Sequence, residues 1–170
     1  MQYENVIFPN SVGFNCRNCG VCCKDQPPDI NFKEQKRIET AGYKNFMQDP
    51  LNPSNRNISK NMDGSCCFLT KENTCMINSI KPSICSLEPF IISDFDYKTN
   101  KIFLDLNPMA IQSCKGICSG ENVAIVEIGK AAQTIIRDFL EIMAEKTGLS
   151  VTDRKVAFLT KKLLSDLNYK

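Results

Sequence analysis

The sequence predicts a small α+β protein, in which a cysteine-rich, metal-organised module of short strands and loops with one β-hairpin precedes two C-terminal helices. Three observations indicate this fold. All ten cysteines lie between Cys16 and Cys118, two β-rich runs flank residues 98–100, and apolar residues recur at helical spacing after residue 122. We predict a cysteine-cluster metal-binding module over residues 1–120. A helical hairpin over residues 121–170 is expected to pack on it, giving a single compact domain.

The first part of the module combines a loop and a helix. Residues 15–25 are too rich in cysteine for a regular element, so we predict a loop around a ligand. A helix is predicted to follow, because Asn31 can act as its N-cap and Glu34 stands at the acidic position of a capping box. Gly42 is the expected end of this helix.

The middle of the module shows weaker signals. Residues 58–61 and 66–70 resemble short strands on either side of a turn at residues 62–64. Pro82 favours the start of a short helix, which would carry Cys85.

The remaining elements have clear patterns. Residues 90–97 and 101–106 are rich in β-forming residues and predict a hairpin. Apolar positions from Val123 to Met143 predict a long helix that ends at Gly148, and a capping box at residues 150–153 predicts a second helix. We interpret the apolar stripe as core packing on the cysteine module, rather than as a partner-binding or membrane face.

Composition excludes several classes of protein. The formal net charge is +2, which gives no general attraction to nucleic acid, and no apolar run is long enough for a membrane helix. Residues 1–6 lack the features of a secretory signal, so a cytoplasmic protein is expected. The sequence contains no histidine, which excludes Cys₂His₂ fingers, HExxH metalloproteases, Rieske centres and catalytic dyads that need histidine.

The densest cysteine motif is Cys16-x₂-Cys19-x₂-Cys22-Cys23. Four thiols within eight residues of an intracellular chain favour metal binding over transient disulfides or inert buried thiols. The spacing resembles the opening of a bacterial ferredoxin motif, although no Cys-Pro completes it. Because neighbouring side chains tend to project in different directions, we expect Cys22 and Cys23 to serve different centres, or one of them to point into the core.

The later cysteines are too widely spaced to form a site alone, but they can complete the ligands of the first motif. They are Cys66, Cys67, Cys75, Cys85, Cys114 and Cys118. Four thiolates in tetrahedral geometry suit either zinc or iron–sulfur centres. Asp25, Asp63 and Glu88 remain candidates to replace one thiolate. Motifs for radical S-adenosylmethionine chemistry, phosphate-binding loops and dinucleotide binding are absent from the sequence.

These residues resemble a known family. Residues 14–23 follow the F-x-C-x₂-C-G-x-C-C opening of the YkgJ-type cysteine-cluster proteins, which are described as zinc- or iron-chelating and often labelled Fe–S oxidoreductases. Residues 64–69 are similar to the family's G-x-C-x-F-L, residues 75–85 to its C-x-I-Y-x₂-R-P-x₂-C, and residues 114–116 to its closing C-x-G. The chain departs from the pattern at Asn78, Lys81 and Ser86.

The resemblance implies a set of eight ligands. They are Cys16, Cys19, Cys22, Cys23, Cys66, Cys75, Cys85 and Cys114, while Cys67 and Cys118 are additional candidates. Eight thiols suggest two four-thiolate sites. Our division assigns Cys16, Cys19 and Cys22 to one site, and Cys23 to the other together with downstream thiols.

Three functions remain open. The first is an iron–sulfur protein with one or two 4Fe–4S clusters, used in electron transfer or redox chemistry with a redox partner. The second is a non-catalytic Cys₄ zinc module for protein interaction. The third is an accessory or catalytic part of a methyl-transfer system, because the cysteine cluster also resembles part of the flagellin lysine N-methylases. The ferredoxin-like opening and the surplus of thiols favour iron–sulfur, while no motif decides whether the protein is an enzyme.

Overall fold

A computed structural model of the chain describes residues 4–25, 27–52, 55–119 and 125–167. The presence of both helices and strands confirms the predicted α+β class. The strands are β1 (Val6–Ile7), β2 (Val12–Phe14), β3 (Phe90–Asp96), β4 (Lys101–Leu106) and β5 (Ile117–Ser119). The helices are α1 (Val21–Asp25), α2 (Phe32–Thr40), α3 (Ser83–Leu87), α4 (Pro108–Ser113), α5 (Ile125–Thr147) and α6 (Arg154–Leu167), with a 3₁₀ turn at Asn78–Ile80. Within these ranges, no helix combines the length and apolar character needed to cross a membrane.

The predicted hairpin forms the centre of a three-stranded sheet. β3 and β4 pair antiparallel with Phe90 opposite Leu106, and Asn100 takes a φ of 56° in the turn between them. Asparagine is one of the few residues that tolerate this left-handed conformation. β1 adds to the other edge of β4 in parallel, with Val6 opposite Ile102. No pattern in the sequence predicted β1, which has only two residues.

The two predicted C-terminal helices are also present. α5 packs against α3, α6 and β1, and α6 packs against β3. Gly148 follows α5 with a φ of 66°, as the predicted helix end requires, whereas the predicted start at Val123 lies outside the described residues. The predicted capping box is wrong in detail. Asp153, not Ser150, accepts a hydrogen bond from the backbone N–H of Lys155 at 2.7 Å, as an N-cap does.

Buried apolar side chains form two clusters. The sheet core joins the sheet to α3, α5 and α6, and it consists of Val6, Phe14, Leu87, Phe90, Ile92, Phe95, Ile102, Leu104, Ile128, Ala131, Ala132, Ile136 and Leu164. The α2 core consists of Ile30, Ile38, Phe46, Ile58, Cys66, Phe68 and Ile77, with Cys23, Cys67 and Cys75 packed against it. Four of the ten cysteines therefore lie in or against the smaller cluster, and Cys114 packs against the sheet core.

The helix α2 forms for the reason that the sequence predicts. The Asn31 side chain accepts a hydrogen bond from the Glu34 N–H at 2.9 Å, and the Glu34 carboxylate accepts one from the Asn31 N–H at 3.2 Å. This is a complete capping box. The helix ends just before Gly42, which has a φ of 96°.

Two predictions for the module are wrong. Residues 58–61 and 66–70 do not form strands, because their pairing is limited to isolated bridges such as Lys60 with Cys66. The turn between them is present, since the Gly64 N–H donates to the Asn61 carbonyl at 2.9 Å. The predicted loop over residues 15–25 ends in a helical turn, α1, which carries Cys22 and Cys23.

Candidate metal centre

The first cysteine motif is folded around a left-handed glycine. Gly20 has a φ of 70°, and its carbonyl accepts a hydrogen bond from the Cys23 N–H at 3.0 Å. A Cβ atom at residue 20 would lie 3.1 Å from the Asn73 side-chain oxygen and 3.2 Å from the Leu69 side chain. A side chain at position 20 would therefore be both strained and crowded. This glycine allows the motif to lie against the segment that carries Cys66 and Cys75.

Backbone hydrogen bonds attach the second cysteine segment to the first. The Cys66 N–H donates to the Cys23 carbonyl at 2.8 Å, and the Cys67 N–H donates to the Ser59 carbonyl at 3.0 Å. Leu69 forms an isolated bridge with Cys75. These bonds place Cys66 directly beside α1 and bring Cys75 back along the same segment.

Cys85 lies on the predicted short helix, α3. Pro82 occupies the N-cap rather than the first helical position, with φ −56° and ψ 148°. α3 packs against α5 through the sheet core, in which Leu87 is buried. The long C-terminal helix therefore supports the element that carries this thiol.

Cys118 lies on a strand of a pair that no sequence pattern predicted, and Cys114 precedes that strand as the C-cap of α4. β2 and β5 pair antiparallel, with Gly13 opposite Cys118, and the Asn15 N–H donates to the Gly116 carbonyl at 2.9 Å. A Cβ atom on Gly116 would lie 2.6 Å from the Asn15 carbonyl oxygen, so only glycine permits this approach. The pairing brings Cys114 to the first cysteine motif.

Electrostatic interactions define one group of thiols. Burial raises the pKa of the Cys85 thiol, and the charges of Cys66, Cys22 and Cys75 raise it further. Burial also raises the pKa of Cys75, with smaller contributions from the charges of Cys66 and Cys22. The four thiols come from separate segments and lie within reach of one another's charge. Cations stabilise such a group, because ionised thiols that lie close together repel one another.

A second group surrounds Cys114. Burial raises the pKa of this thiol, and the charges of Cys19 and Cys22 raise it further. Cys22 thus interacts with both groups. Our predicted division assigns it to the first site alone, whereas its charge acts on Cys114 as well as on Cys75 and Cys85.

Three cysteines share a local geometry that typically stabilises thiolates. The sulfur accepts a backbone hydrogen bond from the residue two positions later: Cys66 from Phe68, Cys75 from Ile77, and Cys114 from Gly116. Each of these bonds opposes the rise in the thiol pKa, because a hydrogen bond to the charged form favours that form. Cys66, Cys75 and Cys114, which lie on three separate segments, therefore share this backbone interaction.

The neighbouring cysteines influence each other's ionisation. A hydrogen bond with the Cys23 side chain raises the pKa of Cys22, and the assignment of the two thiols to different centres stays a prediction. Cys66 and Cys67 form a second such pair, in which the hydrogen bond raises the pKa of Cys66 and lowers that of Cys67. Neither pair is a disulfide, since all ten thiols are free.

The carboxylate candidates have different surroundings. Glu88 lies close enough to Cys22 for its charge to raise the pKa of that thiol. Asp63 instead accepts hydrogen bonds from the backbone N–H and the hydroxyl of Ser65, at 3.0 and 2.6 Å, and so belongs to a turn. The Asp25 side chain lies outside the part that the structure describes. Glu88 is thus the carboxylate candidate for which the structure provides support.

The ten cysteines are chemically suited to thiolate ligation of a metal. Their sulfur atoms lie in the same part of the molecule but do not surround a common point. Cys16, Cys22 and Cys118 are exposed, and the Cys16 sulfur lies 3.7 Å from the Asn18 side-chain oxygen. Over the described ranges, no three cysteine, aspartate or glutamate side chains come close enough to hold one metal ion. Binding would therefore require the cysteine segments to draw closer together.

Comparison with known proteins identifies the family. A family profile described as "Putative zinc- or iron-chelating domain", with the signature CxxCxxCC, matches residues 15–119. The chain belongs to this family. The match begins just before Cys16 and ends just after Cys118, so it includes every cysteine. It supports metal binding and leaves the choice between zinc and iron open.

The curated relatives include an uncharacterized protein of Methanocaldococcus jannaschii. It is 26% identical to this chain over 139 residues, which cover 77% of this chain and 72% of the relative. No solved structure matches the chain.

Proposed function

We propose that the protein holds one or two thiolate-ligated metal centres, and that these are 4Fe–4S clusters that take part in electron transfer or redox chemistry in the cytoplasm. The proposed ligands are Cys16, Cys19, Cys22, Cys23, Cys66, Cys75, Cys85 and Cys114. Cys67 and Cys118 lie outside this set. An iron–sulfur cluster would supply one-electron transfer, whereas zinc would supply a structural crosslink without redox chemistry.

The repeated amide-to-sulfur hydrogen bond carries the proposal. It recurs at Cys66, Cys75 and Cys114, which lie on three separate segments. A thiol that needs only to fill space in a core does not require such a bond, whereas a thiolate ligand is stabilised by it. The mutual electrostatic interaction of Cys22, Cys66, Cys75 and Cys85 supports the same conclusion.

Two features favour iron–sulfur over zinc. Hydrogen bonds to sulfur tune the reduction potential of a cluster, and the environment of these thiols includes buried apolar residues such as Phe68. Cys16 and Cys22 are exposed, which would leave one side of a centre accessible to a redox partner. Ten free thiols are also consistent with a reducing compartment such as the cytoplasm.

The test is the amount of iron, zinc and acid-labile sulfide per chain in protein purified without oxygen. About four or eight iron atoms with equal sulfide would indicate one or two 4Fe–4S clusters. About two zinc atoms without sulfide would support the closed Cys₄ alternative and replace electron transfer with a structural role. Protein without either metal would contradict the proposal.

Two single substitutions make this test specific. Cys85→Ser removes a proposed ligand, and we expect it to lower the metal content. Cys118→Ser removes an exposed thiol from the same family segment, and we expect the metal content to stay as in the wild type. Equal losses in both variants would contradict the proposed ligand set.

A further inference from the structure

Glu34 connects two helices that lie far apart in the sequence. One carboxylate oxygen accepts a hydrogen bond from the Ser83 N–H at 2.7 Å, at the first residue of α3. The other accepts one from the Asn31 N–H at 3.2 Å, in the capping box of α2. The first N–H groups of a helix have no partner within that helix, so one carboxylate satisfies such groups at both helix starts. Glu34 is buried, with only 6% of the residue exposed.

Other polar contacts fix the segment that leads into α3. The Arg37 guanidinium, one turn after Glu34, donates to the carbonyl oxygens of Ile80 and Lys81 at 3.3 and 3.0 Å. The Lys81 ammonium forms an ion pair with Glu127 of α5 at 2.6 Å. The segment that leads into α3 is therefore fixed by both α2 and α5.

The connection continues to the long C-terminal helix. The Asn31 side chain, which caps α2, also donates a hydrogen bond to the Asp138 carboxylate of α5 at 2.6 Å. Asp138 is itself buried. The polar contacts thus run from α5 through Asn31 and Glu34 to the backbone of Ser83, two residues before Cys85.

We infer that Glu34 is a positioning residue for the metal centre, because its bond to the Ser83 N–H fixes the helical turn that presents the Cys85 sulfur. The inference rests on the proposed function, in which Cys85 is a ligand. Residues that orient a metal ligand from outside the ligand shell commonly change metal affinity by tenfold to a hundredfold when they are replaced. Glu34 is expected to belong to this class.

The chain offers a matched pair of substitutions at Ser83. Ser83→Pro removes only the N–H donor from the contact with Glu34, because proline is favoured at the first helical position. Pro82 already has the extended conformation that a following proline requires, with φ −56° and ψ 148°. Ser83→Ala removes the hydroxyl and keeps the N–H, so it is the control.

The experiment measures zinc affinity by competition with a chelator, together with the thiolate absorption of the cobalt-substituted protein. We expect Ser83→Pro to weaken zinc binding by about tenfold to a hundredfold relative to Ser83→Ala. The cobalt spectrum of the proline variant should also show weaker thiolate absorption. In a Cys85→Ser background, the difference between the two variants should disappear, since the ligand that Glu34 positions is then absent.

Glu34→Leu provides a second variant that does not depend on proline. It keeps most of the buried volume and removes both acceptor oxygens, and we expect the same loss of affinity. Adding Ser83→Pro to Glu34→Leu should change the affinity by less than about a further twofold, because Glu34→Leu already breaks the contact that Ser83→Pro removes.

The outcomes separate this inference from the proposed function. Equal zinc affinity in Ser83→Pro and Ser83→Ala, while Cys85→Ser weakens binding, would overturn the role of Glu34 and leave the proposed ligand set standing. A difference that persists in the Cys85→Ser background would also overturn it. Wild-type protein that binds no metal would overturn the proposed function and the positioning role together.

Discussion

The regions around the two cores are stabilised in different ways. Around the sheet core, strands pair in register and the long helix α5 buries Ile128, Ala132 and Ile136 against them. Among the described residues that surround the α2 core, α2 is the longest helix. The other segments of this region are connected by isolated β-bridges. Cysteine side chains make up much of the packing there. Apolar burial alone can account for the first region, whereas the second depends on thiolate–metal crosslinks under our proposal.

Metal removal gives the largest expected difference between the two regions. Structural zinc sites contribute about 10–16 kcal/mol in small domains, which is comparable to the whole stability of an ordinary domain at about 5–15 kcal/mol. We expect backbone amides such as those of Cys66, Cys67 and Met76 to exchange much faster in metal-free protein. The amides of β3, β4 and α5 should keep their protection. Hydrogen exchange with and without metal measures the protection of both sets of amides. An equal loss of protection in the two regions would contradict the comparison.

Truncation of the sheet core should have the next largest effect. Ile136 is 3% exposed, and Ile136→Ala should lower the free energy of unfolding by about 2–5 kcal/mol, because it leaves a cavity against the sheet. Ile111 is 57% exposed, so Ile111→Ala should change it by less than about 0.5 kcal/mol. Denaturant unfolding of the metal-loaded protein, followed by helical circular dichroism, measures both. Similar values for the two variants would show that α5 is not packed as described.

A substitution at Gly116 tests the junction between the cysteines and the strands. The new methyl group in Gly116→Ala would meet the Asn15 carbonyl oxygen at 2.6 Å, and we expect a loss of roughly 1–3 kcal/mol in unfolding free energy. Metal affinity should fall as well, because the β2–β5 pairing brings Cys114 to the first motif. The neighbouring Lys115→Ala is the control, since Lys115 is exposed. Unchanged affinity in Gly116→Ala would mean that Cys114 does not depend on this pairing.

The cap of α6 should give the smallest effect. Asp153→Ala removes the side chain that accepts the Lys155 N–H, and we expect a loss of about 1 kcal/mol in unfolding free energy. Ser150→Ala should cost less than about 0.5 kcal/mol, because Ser150 does not cap the helix. Metal content should be unchanged in both variants. Thermal unfolding compares them, and a larger loss in Ser150→Ala would restore the capping box that the sequence suggested.

Local signals explain why much of the fold could be predicted. The side chains that cap α2, the β-forming runs of the hairpin and the apolar spacing of α5 all act between residues close in sequence. The strands predicted at residues 58–61 and 66–70 failed, because β-forming residues become strands only when a regular partner lies beside them. The pairings of β1 with β4 and β2 with β5 were missed, because short strands carry little pattern of their own and their partners lie about a hundred residues away.

The sequence points to the residues of the candidate site, and their role as metal ligands stays a prediction. Cysteine spacing and the family pattern point to the thiols, but the sequence does not show which sulfurs approach each other. Cys22 therefore seemed to belong to one site, whereas it interacts with both groups of thiols. Glu34 appeared only as a helix cap. Its bond to Ser83 depends on how α2 and α3 pack, and no local signal encodes that contact.

The central claim is that cysteine thiolates from separate segments bind one metal centre, and X-ray absorption at the metal edge tests it most directly. We predict a first shell made of sulfur in the wild-type protein, at about 2.3 Å when the metal is zinc. In Cys85→Ser, the shell should lose sulfur or the metal should be lost. A wild-type shell dominated by oxygen or nitrogen would contradict the claim.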